Sequence, residues 1–255
     1  MSAEIITIPC LSDNYAFLLH DGATGQTMLV DVPEAAPILA EVKARGWRID
    51  KVLLTHHHPD HVQGLGEIRT AYSPQVAGCA ADARRLPPLD IALAEGDELA
   101  IGGLAGQILD VSGHTINHIA WYVPDARAVF TADSLMAMGC GRVFEGTMEQ
   151  MHDSLQKLAA LPPETQVCSG HEYTAANARF AQSIDGGNAA LAARVAEIAA
   201  LRAAGKATVP SQLSLELATN PFLRAADAGI RAALGMETAT DAAVFAAIRR
   251  KKDMF

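Results

Sequence analysis

Cysteine is scarce in this chain of 255 residues, and Cys10, Cys79, Cys140 and Cys168 stand with no close pair among them. A disulfide scaffold needs a small cysteine-dense secreted chain, and a zinc ribbon needs CxxC spacing, so both are excluded. The four thiols read instead as small buried hydrophobes. Long apolar runs are missing too: none approaches the roughly 18 residues that cross a bilayer. The opening MSAEIITIPCLSDNY has no basic stretch leading into an apolar one, so no signal peptide is expected, and the expectation is a soluble cytoplasmic protein with no membrane partner. Basic residues are outnumbered, 20 against 29 acidic, and the net charge of −9 argues against nucleic-acid binding. A small anionic ligand is still allowed, because a local basic patch can oppose the global charge. Such a patch ends the chain, at Arg249-Arg250-Lys251-Lys252.

What the chain does have is apolar content, half of its residues, enough for one large domain or a domain with an appendage. Short apolar or β-branched runs recur over the first two-thirds: EIITIP, YAFLLH, TMLVDV, KVLLTH, QILDVSGH, HIAWYV, AVFTAD and QVCSGH. Helical spacing separates several of them, notably in EAAPILAEVKARG and MEQMHDSLQKLAAL. From about residue 172 the texture changes to alanine-rich helix formers, AALAARVAEIAALRAAG and DAAVFAAIRRKK. Between them ATVPSQLSLELATNPFLR carries the proline and asparagine breaks of connecting loops. The expected organisation is an α/β body over residues 1–171 and a helical domain over 172–255.

Polar residues collect where the apolar strands end. THHHPDH, residues 55–61, follows Val52-Leu53-Leu54; Gly113-His114 follows Ile108 to Val111; Asp133 follows Val129-Phe130-Thr131; His171 follows Val167-Cys168. Sheets of α/β proteins commonly place ligand sites at such strand ends, and four coincidences predict one convergent site. Imidazole and carboxylate suit Zn, Fe and Mn. In His-x-His, alternate residues of an extended segment point the same way, so His56 and His58 can share an ion while His57 faces elsewhere. Beyond Pro59, Asp60 and His61 point apart from that pair, which two ions explain more easily than one. Each pair lacks one distant histidine, and a carboxylate with two oxygens can bridge. His114, His171 and Asp133 supply these members. His20, His118 and His152 read as packing or capping residues, and His57 as a supporting residue at most.

The series His56-x-His58-x-Asp60-His61, then His114, Asp133 and His171, resembles the metallo-β-lactamase superfamily. Asp31 in LVDVP matches that family's strand-end aspartate, a structural hydrogen-bonding residue. The resemblance implies an α/β fold, an αββα sandwich, here with a C-terminal all-helical domain. LSDNY (11–15), SGHT (112–115), GCGRVFEGT (139–147), GHEYT (170–174), NPFLR (220–224) and the terminal RRKKDMF are similar to glyoxalase II, the hydroxyacylglutathione hydrolases. The similarity runs nearly end to end and includes the tail that lactamases generally lack. It implies hydrolysis of S-(2-hydroxyacyl)glutathione, such as S-D-lactoylglutathione to glutathione and D-lactate, in methylglyoxal detoxification.

By the same resemblance His56, His58 and His114 hold one divalent ion and Asp60, His61 and His171 the other, with Zn expected and Fe or Mn acceptable. Asp133 and a water-derived hydroxide bridge them, so Asp60 and Asp133 act catalytically through that hydroxide. A thiol pKa of about 8.5 makes thiolate a good leaving group that needs little acid help. Glutathione carries two carboxylates and one ammonium, and the resemblance places Arg142, Phe144, Tyr173, Arg249 and Lys252 around it. The family commonly has Tyr where this chain has Phe144, Lys where it has Arg142, and Thr where it has Ser134. Only Phe144 removes a hydrogen bond to the substrate, so weaker ground-state binding is expected. The expected partner is this small molecule alone, with the protein a monomer.

Two other readings compete. A mononuclear iron persulfide dioxygenase of the same fold needs only two histidines and one carboxylate, whereas this chain also carries the Asp60, His61 and His171 set. A non-catalytic metal module would use a closed, cysteine-rich site, and the seven donors here include no cysteine.

Overall fold

The alternation of apolar runs and helical spacing is realised in the computed structural model, which describes residues 3–255. The chain forms two compact units. The first comprises the residues up to Asp110 together with Asn117–Ala132. The second comprises Val111–Ile116 and Asp133–Phe255.

The first unit holds two sheets. In one, β1 (Ala3–Cys10), β2 (Asn14–Asp21), β3 (Gln26–Val30), β4 (Lys51–Leu54), β5 (Gln75–Cys79) and β6 (Ile91–Leu93) lie side by side in that order. The first three strands are antiparallel and β3 to β6 run parallel. The other sheet runs β7 (Glu98–Ile101), β8 (Leu104–Asp110), β9 (Ile119–Val123) and β10 (Ala128–Ala132), all antiparallel.

Side-chain alternation explains why β2 is buried along its whole length. Ala16 and Leu18 join Leu29, Val52, Leu54 and Val76 beneath the helices α1 (Ala35–Arg45) and α3 (Leu65–Tyr72). Phe17, on the opposite face, meets Phe130 of the second sheet edge-on at 5.8 Å, and Phe130 stacks on Trp121 at 5.5 Å. The two sheets therefore pack face to face, with helices covering the outer face of the first.

Between β4 and α3 the one-turn helix α2 (Pro59–Val62) starts at Pro59, where a missing N–H costs nothing. The strands β5 to β7 and the helices α2 and α3 are too short or too weakly periodic to stand out in the sequence.

The second unit is mostly helical. Two short pairs, β11 (Leu135–Met136) with β12 (Gly139–Cys140) and β13 (Gln166–Ser169) with β14 (Ser211–Gln212), accompany α4 (Met148–Ala159), α5 (Thr174–Ile184), α6 (Ala189–Ala203), α7 (Leu213–Thr219), α8 (Ala228–Leu234) and α9 (Asp241–Asp253). Thr147 and Gln150 form a reciprocal capping box that starts α4. α7 lies inside the stretch that proline and asparagine mark as loop. It forms because Leu213, Glu216 and Thr219, three residues apart, share one buried face.

Glu216 is the hub of that face. It pairs with buried Arg194 and accepts from Ser211 Oγ at 2.6 Å, Asn220 Nδ2 at 3.0 Å and the Met138 N–H at 2.9 Å. Asn220, the first residue of NPFLR, also donates to the carbonyls of Met136 and Gly139 at 3.2 and 3.0 Å. The helical tail thus holds the β11–β12 turn that leads into GCGRVFEGT. No helix among the described residues is long and apolar enough to cross a membrane.

Candidate metal centre

In the first unit the donors emerge from the C-terminal end of β4. Asp31, just past β3 and held in the left-handed region at φ 58°, turns its carboxylate toward them. One oxygen accepts from the Thr55 N–H at 2.9 Å; the other accepts from the Thr55 hydroxyl and from His61 Nδ1, each at 2.8 Å. A carboxylate only accepts, so the His61 proton sits on Nδ1 and Nε2 carries the lone pair that a cation needs. The Thr55 hydroxyl spends its one proton on Asp31 and therefore accepts from His56 Nδ1 at 3.0 Å, which fixes the same tautomer in His56. One buried carboxylate thereby orients two of the predicted ligands.

The rings of His56 and His58 lie 4.7 Å apart and those of His56 and His61 4.2 Å apart, while His61 Nε2 stands 3.7 Å from Asp60 Oδ2. Three imidazoles crowded this closely would repel one another as cations, so three rings beside one carboxylate suit a bound metal better than a set of protonated imidazoles. His57 turns the other way and bonds Asp82 at 3.0 Å, as the alternation of an extended segment predicts. Asn14, in LSDNY, donates to Asp60 Oδ2 at 3.0 Å and to its backbone carbonyl at 3.2 Å. Sequence reasoning gave Asn14 and Thr55 no role. His20 stacks on Trp47 at 3.9 Å, a packing role as expected. His118 does more, since its buried ring stacks on His56 at 4.6 Å.

The second unit carries the other predicted donors. His114 Nε2 and His171 Nε2 lie 3.4 and 3.3 Å from the same atom, Asp133 Oδ2. An anionic oxygen flanked by two imidazole nitrogens is a ligand-type arrangement, and all three residues are buried. His114 Nδ1 donates to the Arg142 carbonyl at 2.8 Å, so here too Nε2 carries the lone pair. Gly141 makes this close approach possible: a Cβ there would stand 1.9 Å from the Asp133 carbonyl oxygen. Gly113, at φ 150°, likewise lets the loop pass Met151. His171 stacks flat on Tyr173 at 4.7 Å.

The residues predicted to hold glutathione also belong to this unit. Phe144 is 60% exposed, with its ring 5.2 Å from that of His114 and the Arg142 guanidinium 5.9 Å from its centre. Tyr173 is exposed as well. Arg249 is only 4% exposed: it donates to the Cys140 carbonyl at 2.9 Å and to Asp253 at 2.9 and 3.2 Å, and it lies over the Phe222 ring. Burial pushes the neighbouring Cys140 thiol up to about 11 despite this cation. Lys252 is half-buried against the rings of Phe180 and Phe255, and burial, then the charges of Arg249, Arg179 and Arg142, hold its pKa below the ordinary lysine value.

Residues 13–171 match the metallo-beta-lactamase superfamily and residues 172–255 match the hydroxyacylglutathione hydrolase C-terminus. Hydroxyacylglutathione hydrolases of Ruegeria pomeroyi and Roseobacter denitrificans are each 63% identical over 255 residues, covering all of both chains. That of Cereibacter sphaeroides is 60% identical over the same full length. Among solved structures, TTHA1623 in a di-iron-bound form is 27% identical with a TM-score of 0.61, covering 86% of this chain and 98% of that one. The B3 metallo-beta-lactamase BLEG-1, 20% identical with a TM-score of 0.67 over 86% of this chain and 99% of its own, shares the fold.

Proposed function

This chain belongs to the hydroxyacylglutathione hydrolase family of the metallo-β-lactamase superfamily, and from that premise we propose how its residues divide the work of the reaction. It is a thioester hydrolase that converts S-(2-hydroxyacyl)glutathione, such as S-D-lactoylglutathione, to glutathione and the hydroxy acid. It binds divalent metal through its histidine and aspartate donors.

The finer assignment is our own. His56, His58 and His114 hold one ion, Asp60, His61 and His171 the other, and Asp133 bridges them. Two zinc ions fit this nitrogen- and carboxylate-rich, sulfur-free set, and iron or manganese would be accepted by the same donors. The di-iron form of TTHA1623 supports a dinuclear reading. When bound, such ions acidify water toward neutral pKa and polarise a carbonyl oxygen. The chain's own contribution is orientation. Asp31, Thr55 and the Arg142 carbonyl lock three imidazole tautomers, and Asn14 fixes the Asp60 carboxylate. Residues 1–171 carry this catalytic machinery, and residues 172–255 bring Tyr173, Arg249 and Lys252 to the glutathione site.

In that site Arg142 and Lys252 meet substrate carboxylates, while Phe144 and Tyr173 offer aromatic surface. Arg249 acts from beneath, tying α9 to the Cys140 carbonyl. The enzyme works as a cytoplasmic monomer. The observation that carries the assignment is the single Asp133 oxygen within 3.4 Å of two imidazole nitrogens. Purified protein should hydrolyse S-D-lactoylglutathione and contain two equivalents of metal. A chelator should abolish activity while far-UV circular dichroism is unchanged. Full activity with one equivalent would refute the dinuclear centre, and no turnover by metal-replete protein would refute the substrate.

A further inference from the structure

Arg179 is a cation that the assignment above does not use. It stands exposed on α5, three residues after Ala176 and directly before Phe180. Lys252 rests against those same two residues: its Nζ lies 3.5 Å from the Ala176 carbonyl oxygen and 5.2 Å from the centre of the Phe180 ring. Arg179 therefore shares one corner of α5 and α9 with Lys252, close enough for its charge to act on that ammonium.

Charge in this corner is not balanced. The charges of Arg142, Arg179 and Arg249 all act on Lys252, and the one carboxylate that offsets them there is Asp253. Asp253 is taken by Arg249 at 2.9 Å and by Arg142 at 3.5 Å. Among the described residues no carboxylate lies within ion-pair distance of Arg179 or Lys252. Acidic residues outnumber basic ones in this chain, so partners for a purely structural cation pair are plentiful. Two like charges left side by side raise the energy of the folded state unless an anion joins them.

We propose that Arg179 is a substrate-binding residue that, together with Lys252, receives a carboxylate of the glutathione moiety. The proposal rests on the glutathione-thioester reading and extends it to a residue outside the family motifs. Glutathione brings two carboxylates, and the planar guanidinium can grip one of them through two parallel hydrogen bonds, which an ammonium cannot do. Arg179 lies outside the metal-donor groups, so the contribution proposed for it belongs to ground-state binding and to selection of glutathione over uncharged thiols.

The test compares wild type with Arg179→Gln and Arg179→Lys on two thioesters, S-D-lactoylglutathione and the uncharged lactoyl thioester of N-acetylcysteamine. In Arg179→Gln, KM for the glutathione thioester should rise about threefold to tenfold with kcat unchanged, as expected for a partly exposed charge-assisted contact. The lysine variant should recover part of the loss. The uncharged thioester should be hydrolysed equally by all three proteins. An unchanged KM in Arg179→Gln, or equal losses on both thioesters, would overturn the proposal. Calorimetric titration of each protein with glutathione reads the same contact without turnover. If the wild type fails to hydrolyse the glutathione thioester, the substrate reading falls on its own, and the titration still decides whether Arg179 binds a glutathione carboxylate.

Discussion

The carboxylate of Asp31 lies 2.8 Å from Nδ1 of His61, and the same oxygen accepts the Thr55 hydroxyl that in turn holds His56. Two imidazoles on opposite sides of Pro59 are thereby oriented by one residue that precedes them by a strand and a helix. Asp31→Asn should keep the volume and lose the orientation, because an amide can present N–H where both partners need an acceptor. Outer-shell changes of this kind cost about 10- to 100-fold in metal affinity. Competition with a chromophoric chelator measures it, and wild-type affinity in Asp31→Asn would remove this residue from the account.

Gly141→Ala places a methyl group 1.9 Å from the Asp133 carbonyl oxygen and 3.1 Å from His114 Nδ1. Backbone cannot yield as a flexible side-chain end can, so a loss of at least about 1–3 kcal/mol is expected, together with reduced metal content. Gly66→Ala, on helix α3 where nothing stands within 4 Å, should be neutral or stabilising by up to about 1 kcal/mol. Urea denaturation of both variants gives the comparison; equal midpoints would show that the Gly141 contact relaxes freely.

Phe144→Tyr adds a hydroxyl to an exposed ring beside His114 and Arg142. If it regains one hydrogen bond to glutathione, KM should fall by an amount equivalent to about 0.5–1.5 kcal/mol, with kcat nearly constant. Steady-state kinetics on S-D-lactoylglutathione decide this, and an unchanged or higher KM counts against the predicted contact.

Burial pushes the Cys10 and Cys140 thiols up to about 11, and Cys168 higher still. Unfolded thiols release their protons near pH 9, so between about pH 9 and pH 11 the unfolded chain binds fewer protons than the folded one. Stability is therefore complete below that window and falls as pH rises through it. Urea midpoints measured at pH 8 and pH 10 should differ less in Cys140→Ala than in wild type. Folded protein at pH 8 should also leave these three thiols unreacted with a disulfide reagent that titrates them in urea; rapid reaction of Cys140 would contradict its burial.

The sequence by itself determined the metal donors as candidates and the strand ends they follow, because both are local. A run of apolar residues ends, and a histidine or aspartate comes next, whatever the rest of the chain does. Alternation along an extended segment also separated His57 from His56 and His58, and the structure sends His57 to Asp82. The helical tail was legible in its alanine-rich composition, although α7 was hidden by the proline and asparagine around it.

Only the tertiary structure decided where the protons and charges sit. Asp31 meets Thr55 across 24 residues and His61 across 30, Asn14 meets Asp60 across 46, and Arg249 meets Cys140 across 109. No local pattern encodes contacts at such separations, because each depends on which strand and helix ends the packed core brings together. The tautomers of His56 and His61 and the inward turn of Arg249 follow from those long-range contacts.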